Sequence, residues 1–342
     1  MNRVTKRITI LLSALCLAGV IGVGIGYYYV FYPNITVKDD GIIYVRNSDS
    51  ITEVLDTLRS RGYVKHPSTL LRVARLKNAK TKAGRYRIRE GMNNNELVNM
   101  LRSGNQSPVQ LTFNNIRTLE EFAGMVSRQL DISPEELLSR LRDPDTTIQY
   151  GFSPATVIGM FVPNTYEIYW NISTSDFLKR MYKEYQRFWN KQRREKAEAI
   201  GLSPLEVTVL ASIIEEETVK PEEYPVIAGV YLNRLKKGIK LDACPTLKYV
   251  LGDFTITRIL DRYLEIDSPY NTYKHAGLPP GPIRMASIQV IDGVLNYQKH
   301  DYLYFCAKSD FSGYHYFSRT LRQHNAYARE YHRELDRRKI WK

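Results

Sequence analysis

An unbroken apolar run near the N-terminus constrains this chain more than any other feature. Residues 8–32 read ITILLSALCLAGVIGVGIGYYYVFY and carry no charge. A helix of that length, at about 1.5 Å per residue, exceeds the ~30 Å hydrocarbon core of a bilayer and spans it with some tilt. Arg3, Lys6 and Arg7 precede the run, and Asp39 and Asp40 follow it. The positive-inside rule therefore places residues 1–7 in the cytoplasm and everything after Tyr32 outside. Tyr27, Tyr28, Tyr29, Phe31 and Tyr32 gather at the outer end, where aromatic side chains favour the membrane–water interface. A cleaved signal peptide has a shorter apolar core and a small-residue cleavage site, and neither is found here. Lipoprotein processing at Cys16 meets the bulky Leu15 where a small residue is needed. The expectation is an uncleaved single-pass anchor.

That topology narrows the meaning of the charge. The 342 residues carry 49 Lys and Arg against 36 Asp and Glu, a net +13. Outside the membrane such a charge serves anionic lipid headgroups or an anionic wall polymer, and nucleic acid is not an expected partner. At 43% apolar and 25% charged residues the chain has the balance of a folded body. Three cysteines (Cys16, Cys244, Cys306) exclude a disulfide scaffold, and no CxxC pair suggests zinc. Whether Cys244 and Cys306 pair is open at this level.

Three zones follow the anchor. In residues 41–106, GIIYV (41–45) alternates like a strand. Ser50 with Glu53 forms a capping box ahead of a helix that Gly62 ends, and Ser68–Leu76 reads as a second helix. GRYRI (84–88) is a second strand, and Asn95–Leu101 a third helix ahead of Gly104. This order of elements resembles a LysM-like wall-binding module; a generic spacer domain is the plain alternative. Residues 109–198 begin with a strand, VQLTF, followed by capping boxes at Thr118/Glu121 and Ser133/Glu136. One long helix is expected over 173–198. Its run of bases from Lys179 to Lys196 is either a solvated face or a surface for anionic lipid or polymer.

Residues 201–342 hold the densest chemical signal. Ser203-Pro204-Leu205-Glu206 joins an N-cap, a proline at the first helical position and a closing glutamate. The helix LEVTVLASIIEEETV is expected to run to about Val219, before Pro221. With about 100° per residue, and Glu217 at zero, Ile213 lies near −40°, Leu210 near +20° and Ile214 near +60°. Glu217 thus sits on the apolar stripe, Glu216 at its margin and Glu215 pointing away. A carboxyl at the end of an apolar stripe is desolvated, which raises its pKa toward the range of a general acid. The helix C-terminus pushes the same way. The bland reading is three glutamates in a frayed, exposed last turn.

The motifs ASIIEEET (211–218), VYLNRLKKGIKL (230–241) and PYNTYKHAGLPPGPI (269–283), with FVPNTYEI (161–168) upstream, resemble the YceG-like, membrane-anchored lytic transglycosylases, the endolytic murein transglycosylase family. YLYFCAK (302–308), HYFS (315–318) and HN (324–325) match that family's closing strand, hairpin and helix. The resemblance implies an α+β fold: the anchor (8–32), the LysM-like α/β module (41–106) and a catalytic domain over 109–342, with 109–198 intermediate and 201–342 as core. It implies location in the bacterial inner (cytoplasmic) membrane, with the catalytic part extracytoplasmic. It implies cleavage of nascent peptidoglycan glycan strands between N-acetylmuramic acid and N-acetylglucosamine, leaving 1,6-anhydro ends, beside synthases such as penicillin-binding proteins. No cofactor is implied.

The family's catalytic glutamate falls on Glu217. Two departures accompany it. Glu216 stands where the family often has lysine, and a second carboxylate facing the cleft would raise the pKa of Glu217 further. Cys244-Pro245-Thr246 replaces Asp-Pro-Thr, with Asp242 two residues away as a possible substitute. Candidate substrate-binding residues are Asn233, Thr246, Tyr270, Asn271, Thr272, Tyr273 and Glu216. The Asn and Tyr of the 270–273 loop read equally well as satisfying the loop's own backbone. Gly277 and Gly281 with Pro279, Pro280 and Pro282 are read as a rigid turn. His315 and His324 lack a Cys or carboxylate at ligand spacing, so no metal is expected and both read as satisfied polar residues. A single acid suits a lyase better than a hydrolase, which commonly uses two carboxylates, although a distant Asp could complete a pair. A non-catalytic wall-binding scaffold and a membrane-surface adaptor acting through 179–196 remain the other classes.

Overall fold

In the computed structural model, residues 3–256 and 260–338 are described; the ends of the N-terminal tail and of the C-terminal domain expected from sequence (1–2 and 339–342) lie outside them. The chain divides into two compact units. One comprises Met1–Gln110, Gln129–Asp131 and Tyr166–Ile172; the other comprises Leu111–Arg128, Ile132–Thr165 and Ser173–Lys342.

The first unit opens with helix α1 (Arg3–Phe31), none of whose residues is buried. Among the described residues it is the one helix that by itself has the length and apolar character to cross a membrane. Strand β1 (Ile42–Val45), helices α2 (Ile51–Ser60) and α3 (Pro67–Leu76), strand β2 (Gly84–Arg87) and helix α4 (Asn94–Ser103) follow. β1 and β2 pair antiparallel, with Ile43 opposite Tyr86. The helices begin where local chemistry dictates. Ser50 and Glu53 close a reciprocal capping box on α2, and Asn93 with Glu96 does the same on α4. Gly104 ends α4 in the left-handed conformation at φ 76°. Leu58, Leu70, Tyr86, Leu97 and Val98 are sealed in this unit's core. The Asn94 amide donates to the Tyr29 carbonyl at 2.7 Å, tying α4 to the end of α1.

The rest of the chain carries β3 (Val109–Phe113), α5 (Leu119–Ser127), α6 (Pro134–Arg142), α7 (Pro144–Ile148), β4 (Asn164–Ile168), α8 (Thr174–Phe188) and α9 (Lys191–Ala199). β3 pairs with β4 in a two-stranded sheet. Two expectations need correction here. The boxes at α5 and α6 are half formed: Thr118 and Ser133 accept from the Glu121 and Glu136 amides, but the carboxylates do not return the bond. Glu121 accepts instead from the Arg117 amide, and Ser133 donates to Glu135. The long helix over 173–198 is two helices. Trp189, 1% exposed, leaves helical geometry as its ring packs inward, and Asn190 then caps α9 through the Arg193 amide. A cap residue in mid-pattern is a stop-and-restart signal that charge periodicity alone hides.

α10 (Pro204–Glu217), α11 (Tyr224–Lys236), α12 (Cys244–Leu251), α13 (Asp261–Leu264) and α14 (Ile288–Leu295) build the core of the second unit. The hairpin β5 (Tyr304–Ala307) and β6 (His315–Ser318) and helix α15 (Leu321–Arg337) close it. Ser203, Pro204 and Glu206 start α10 as read from sequence, with a complete capping box. Every residue from Val207 to Ile214 is buried, because α9, α11, α12 and α14 pack around the helix. α10 stops at Glu217, two residues earlier than expected. Thr218 turns extended, and its hydroxyl donates to the buried Glu223 carboxylate at 2.9 Å. β5 and β6 pair antiparallel, Phe305 opposite Phe317.

Candidate functional site

The three glutamates at the end of α10 diverge into three environments, and none of them frays into solvent. Glu215 accepts from the Ser287 backbone amide at 2.7 Å, at the start of α14. Its side chain does point away from the others, as the wheel implies, but toward a neighbouring helix. Glu216 is held by two guanidinium groups, Arg117 at 2.8 Å and Arg284. Glu217 opens into a cavity of about 560 Å³.

That cavity is assembled from six stretches of the second unit: Glu217 from α10; Tyr231 and Arg234 from α11; Leu241, Asp242 and Cys244 leading into α12; Tyr273; Tyr304 and Phe305 from β5; and Leu321 and His324 from α15. Tyr231 and Arg234 are three residues apart, so one helical face presents both. The Tyr231 hydroxyl donates to Glu217 Oε1 at 2.7 Å. Tyr231 is itself 1% exposed, with its ring edge-on to Phe305. Burial pushes the Glu217 carboxyl up to about 7; the Tyr231 bond and the charge of Lys248 oppose this, and the Glu216 charge adds to it. Burial also holds the Tyr231 phenol far above its usual range, so it stays a donor.

The second carboxylate of the cavity is engaged. Asp242 accepts from Arg234 Nη2 at 2.6 Å, and Arg234 Nη1 reaches the Leu241 carbonyl at 3.2 Å. Asp242 holds a left-handed backbone, φ 49°, which a short polar side chain tolerates. The Cys244 sulfur lies 3.0 Å from the Tyr273 hydroxyl, and burial raises its thiol pKa, leaving it neutral. His324 rests against Tyr304, and its Nδ1 is buried with no hydrogen-bond partner. Burial first, and then the Arg234 charge, lower its pKa, so the ring is neutral at neutral pH. This corrects the sequence reading of His324 as satisfied. His315 is satisfied: its amide and Nδ1 meet Glu223 at 2.7 and 2.8 Å.

The structure separates the remaining sequence candidates. Tyr273 joins Glu217 in the cavity, and Tyr270 lines a second cavity of about 480 Å³. Asn271, fully buried, donates to the Leu264 and Ile266 carbonyls and accepts from the Tyr273 amide. Thr272 accepts from the Ala243 amide and meets Thr246, which donates to the Ala243 carbonyl. Asn233 donates to the His300 and Tyr302 carbonyls. These four side chains shape the walls from behind. Glu216, in its ion pairs, does not line the Glu217 cavity. Tyr231, Arg234, Tyr304, Phe305 and Leu321 were not read from the sequence as site residues, and His324 was read only as a satisfied polar residue. The i, i+3 pairing of Tyr231 with Arg234 on an otherwise apolar helix was the one available signal.

Most bases of the 179–196 stretch are spoken for. Arg180 and Arg187 pair with Glu184, Arg193 with Asp292, Arg194 with the Trp189 carbonyl and Lys196 with Asn296. Among the described residues, no group of three or more His, Cys, Asp or Glu side chains is placed to hold a metal. Cys16, Cys244 and Cys306 are all free thiols.

The chain matches the YceG-like family over residues 43–330 and belongs to it. A Bacillus subtilis (strain 168) protein named endolytic murein transglycosylase is 30% identical over 307 residues, covering 84% of each chain. A Streptococcus pneumoniae (serotype 2) protein of the same name is 27% identical over 321 residues, covering 82% of this chain and 57% of that protein. The 2.6 Å crystal structure of a YceG-like protein from Listeria monocytogenes superimposes with a TM-score of 0.56 at 27% identity, covering 83% of this chain and 97% of that one.

Proposed function

We propose that this chain is an endolytic murein transglycosylase in which Glu217 is the sole catalytic acid and base. The observation that carries the proposal is the state of that carboxyl: partly buried, lifted to about 7, and held through one oxygen by Tyr231. A carboxyl at about 7 keeps its proton in about half of the molecules at neutral pH, and Glu217 lines the cavity. Glu217 protonates the glycosidic oxygen between N-acetylmuramic acid and N-acetylglucosamine as the C1–O bond breaks. The sugar's own 6-hydroxyl closes on C1, Glu217 recovers the 6-hydroxyl proton, and a 1,6-anhydro end forms without water. A hydrolase commonly uses a second free carboxylate. Asp242, tied to Arg234, and Glu216, tied to Arg117 and Arg284, do not offer one.

In this reading α1 anchors the chain in the bacterial inner membrane, with the tail before it cytoplasmic and everything after Tyr32 outside. The β1–α2–α3–β2 order of the first unit supports a LysM-like, wall-binding role for residues 41–106, and residues 109–342 form the catalytic domain. Nascent glycan strands near the membrane are the substrate, and wall synthases of the penicillin-binding class are natural neighbours. The test is mass spectrometry of muropeptides released by the detergent-solubilised full chain and by its Glu217→Gln variant. Anhydro ends from the native chain and none from the variant are expected. Undiminished anhydro release by the variant would refute the role of Glu217. Strand binding with no cleavage by either form would make the protein a scaffold.

A further inference from the structure

The YNTY loop is shared between two cavities, and the second one has no role in the chemistry at Glu217. α12 and residues 270–273 form a partition. On the Glu217 side stand Cys244 and Tyr273, 3.0 Å apart. On the other side the Tyr249 and Tyr270 rings pack at a tilt of 42° with centroids 4.8 Å apart. Between them the buried hydroxyls of Thr246 and Thr272 meet at 2.9 Å and fix the partition. The end of α10 is divided the same way. Glu217 lines the first cavity, and Glu216 holds Arg117, which lines the second, at 2.8 Å.

The second cavity, about 480 Å³, has the make-up of a carbohydrate site. The Tyr249 and Tyr270 rings offer apolar faces with a hydroxyl at the end, while Ser268, Thr118 and Arg117 supply hydrogen-bonding groups and Ile158 an apolar floor. Its charges are largely paired: Glu216 is shared by Arg117 and Arg284, which leaves one positive charge in that cluster, and Glu120 pairs with Arg142. The spacing fits as well. Cys244 and Tyr249 are separated by about 7.5 Å of helix rise, and Tyr270 and Tyr273 by at most about 10 Å of chain. That is the scale of two linked sugar rings.

We propose that the Tyr249–Tyr270 cavity is a second glycan subsite, holding sugar rings of the same strand whose linkage is cut at Glu217. The inference rests on the transglycosylase reading, and it explains how an internal bond of a long strand is gripped. Binding is read in the Glu217→Gln full-length chain, independent of catalysis, with peptide-free glycan strands of graded length. Affinity should rise about tenfold once strands reach both cavities, the scale of one aromatic–sugar contact. Tyr249→Ala should abolish that gain, and so should Ser268→Trp, which fills the cavity and leaves both tyrosines in place. Retention of the length-dependent gain in Ser268→Trp would overturn the proposal. So would a defect confined to peptide-bearing strands, which would mark a stem-peptide site. Cleavage by Glu217→Gln would instead defeat the assignment of the acid and leave the binding result standing.

Discussion

Removing a single oxygen atom from Tyr231 separates the acid of this site from its regulator. Tyr231→Phe keeps the ring, which packs edge-on to Phe305 with centroids 5.8 Å apart, and deletes the 2.7 Å bond to Glu217 Oε1. A hydrogen bond to a charged group contributes about 1.5–3 kcal/mol. Each pKa unit corresponds to about 1.4 kcal/mol. The bond favours the ionised carboxylate, so its loss raises a carboxyl that already titrates at about 7. Glu217 acts first as an acid and must enter the reaction protonated. In the native chain kcat/KM should therefore fall as pH rises through about 7. In Tyr231→Phe that fall should move up by about one to two pH units. At low pH, kcat should drop about tenfold, because the carboxylate formed in the transition state loses its donor. The assay is initial-rate cleavage of glycan strands by the full chain from pH 5 to 9. An unmoved basic limb, or one displaced toward acid, would refute the reasoning.

Three further outcomes follow from the same geometry. Glu217 titrates near 4.5 in the unfolded chain and at about 7 when folded, so stability is lost as pH rises from 4.5 to 7. Glu217→Gln should recover up to about 3 kcal/mol of that above pH 7 and little below pH 4.5, read as melting temperature against pH. Cys244 lines the reaction cavity with a thiol held neutral by burial. A maleimide should therefore inactivate the enzyme slowly at pH 7 and faster at pH 9, glycan strands should protect, and Cys244→Ser should resist; equal inactivation of that variant would place the sensitivity elsewhere. Arg284, 7% exposed, neutralises Glu216 with Arg117. Arg284→Met should destabilise the fold by about 3 kcal/mol in urea titration, and a cost below about 0.5 kcal/mol would show that Arg117 suffices.

Much of the candidate site was legible because its signals are local. Ser203, Pro204 and Glu206 set the start of α10 through contacts within one turn. Helical geometry then placed Glu217 apart from its two neighbours. The wheel's premise for Glu217 was incomplete: α10 has no single apolar stripe, since Val207 to Ile214 are buried all round. The same premise left Glu215 without a partner, whereas it meets the start of α14. The motif reading named Asn233, yet its side chain supports the 300–302 backbone, while Tyr231 and Arg234 face the cavity. Asn271 and Thr272 show the limit again, since a polar residue in a loop motif serves backbone or ligand with equal local plausibility.

By itself the sequence determined the apolar N-terminal helix, the starts of α2 and α10, the short strands and the identity of the acid most exposed to desolvation. Each of these follows from interactions within a few residues of chain, or from composition summed along it. Only the tertiary structure decided that Tyr231 restrains that acid, that Asp242 is consumed by Arg234, that His324 carries an unpaired nitrogen and that Tyr270 and Tyr273 part into different cavities. Those outcomes depend on which elements α10 to α15 pack against one another. The hydrogen bonds and charges that tune a buried group come from partners distant in sequence, which no local pattern records.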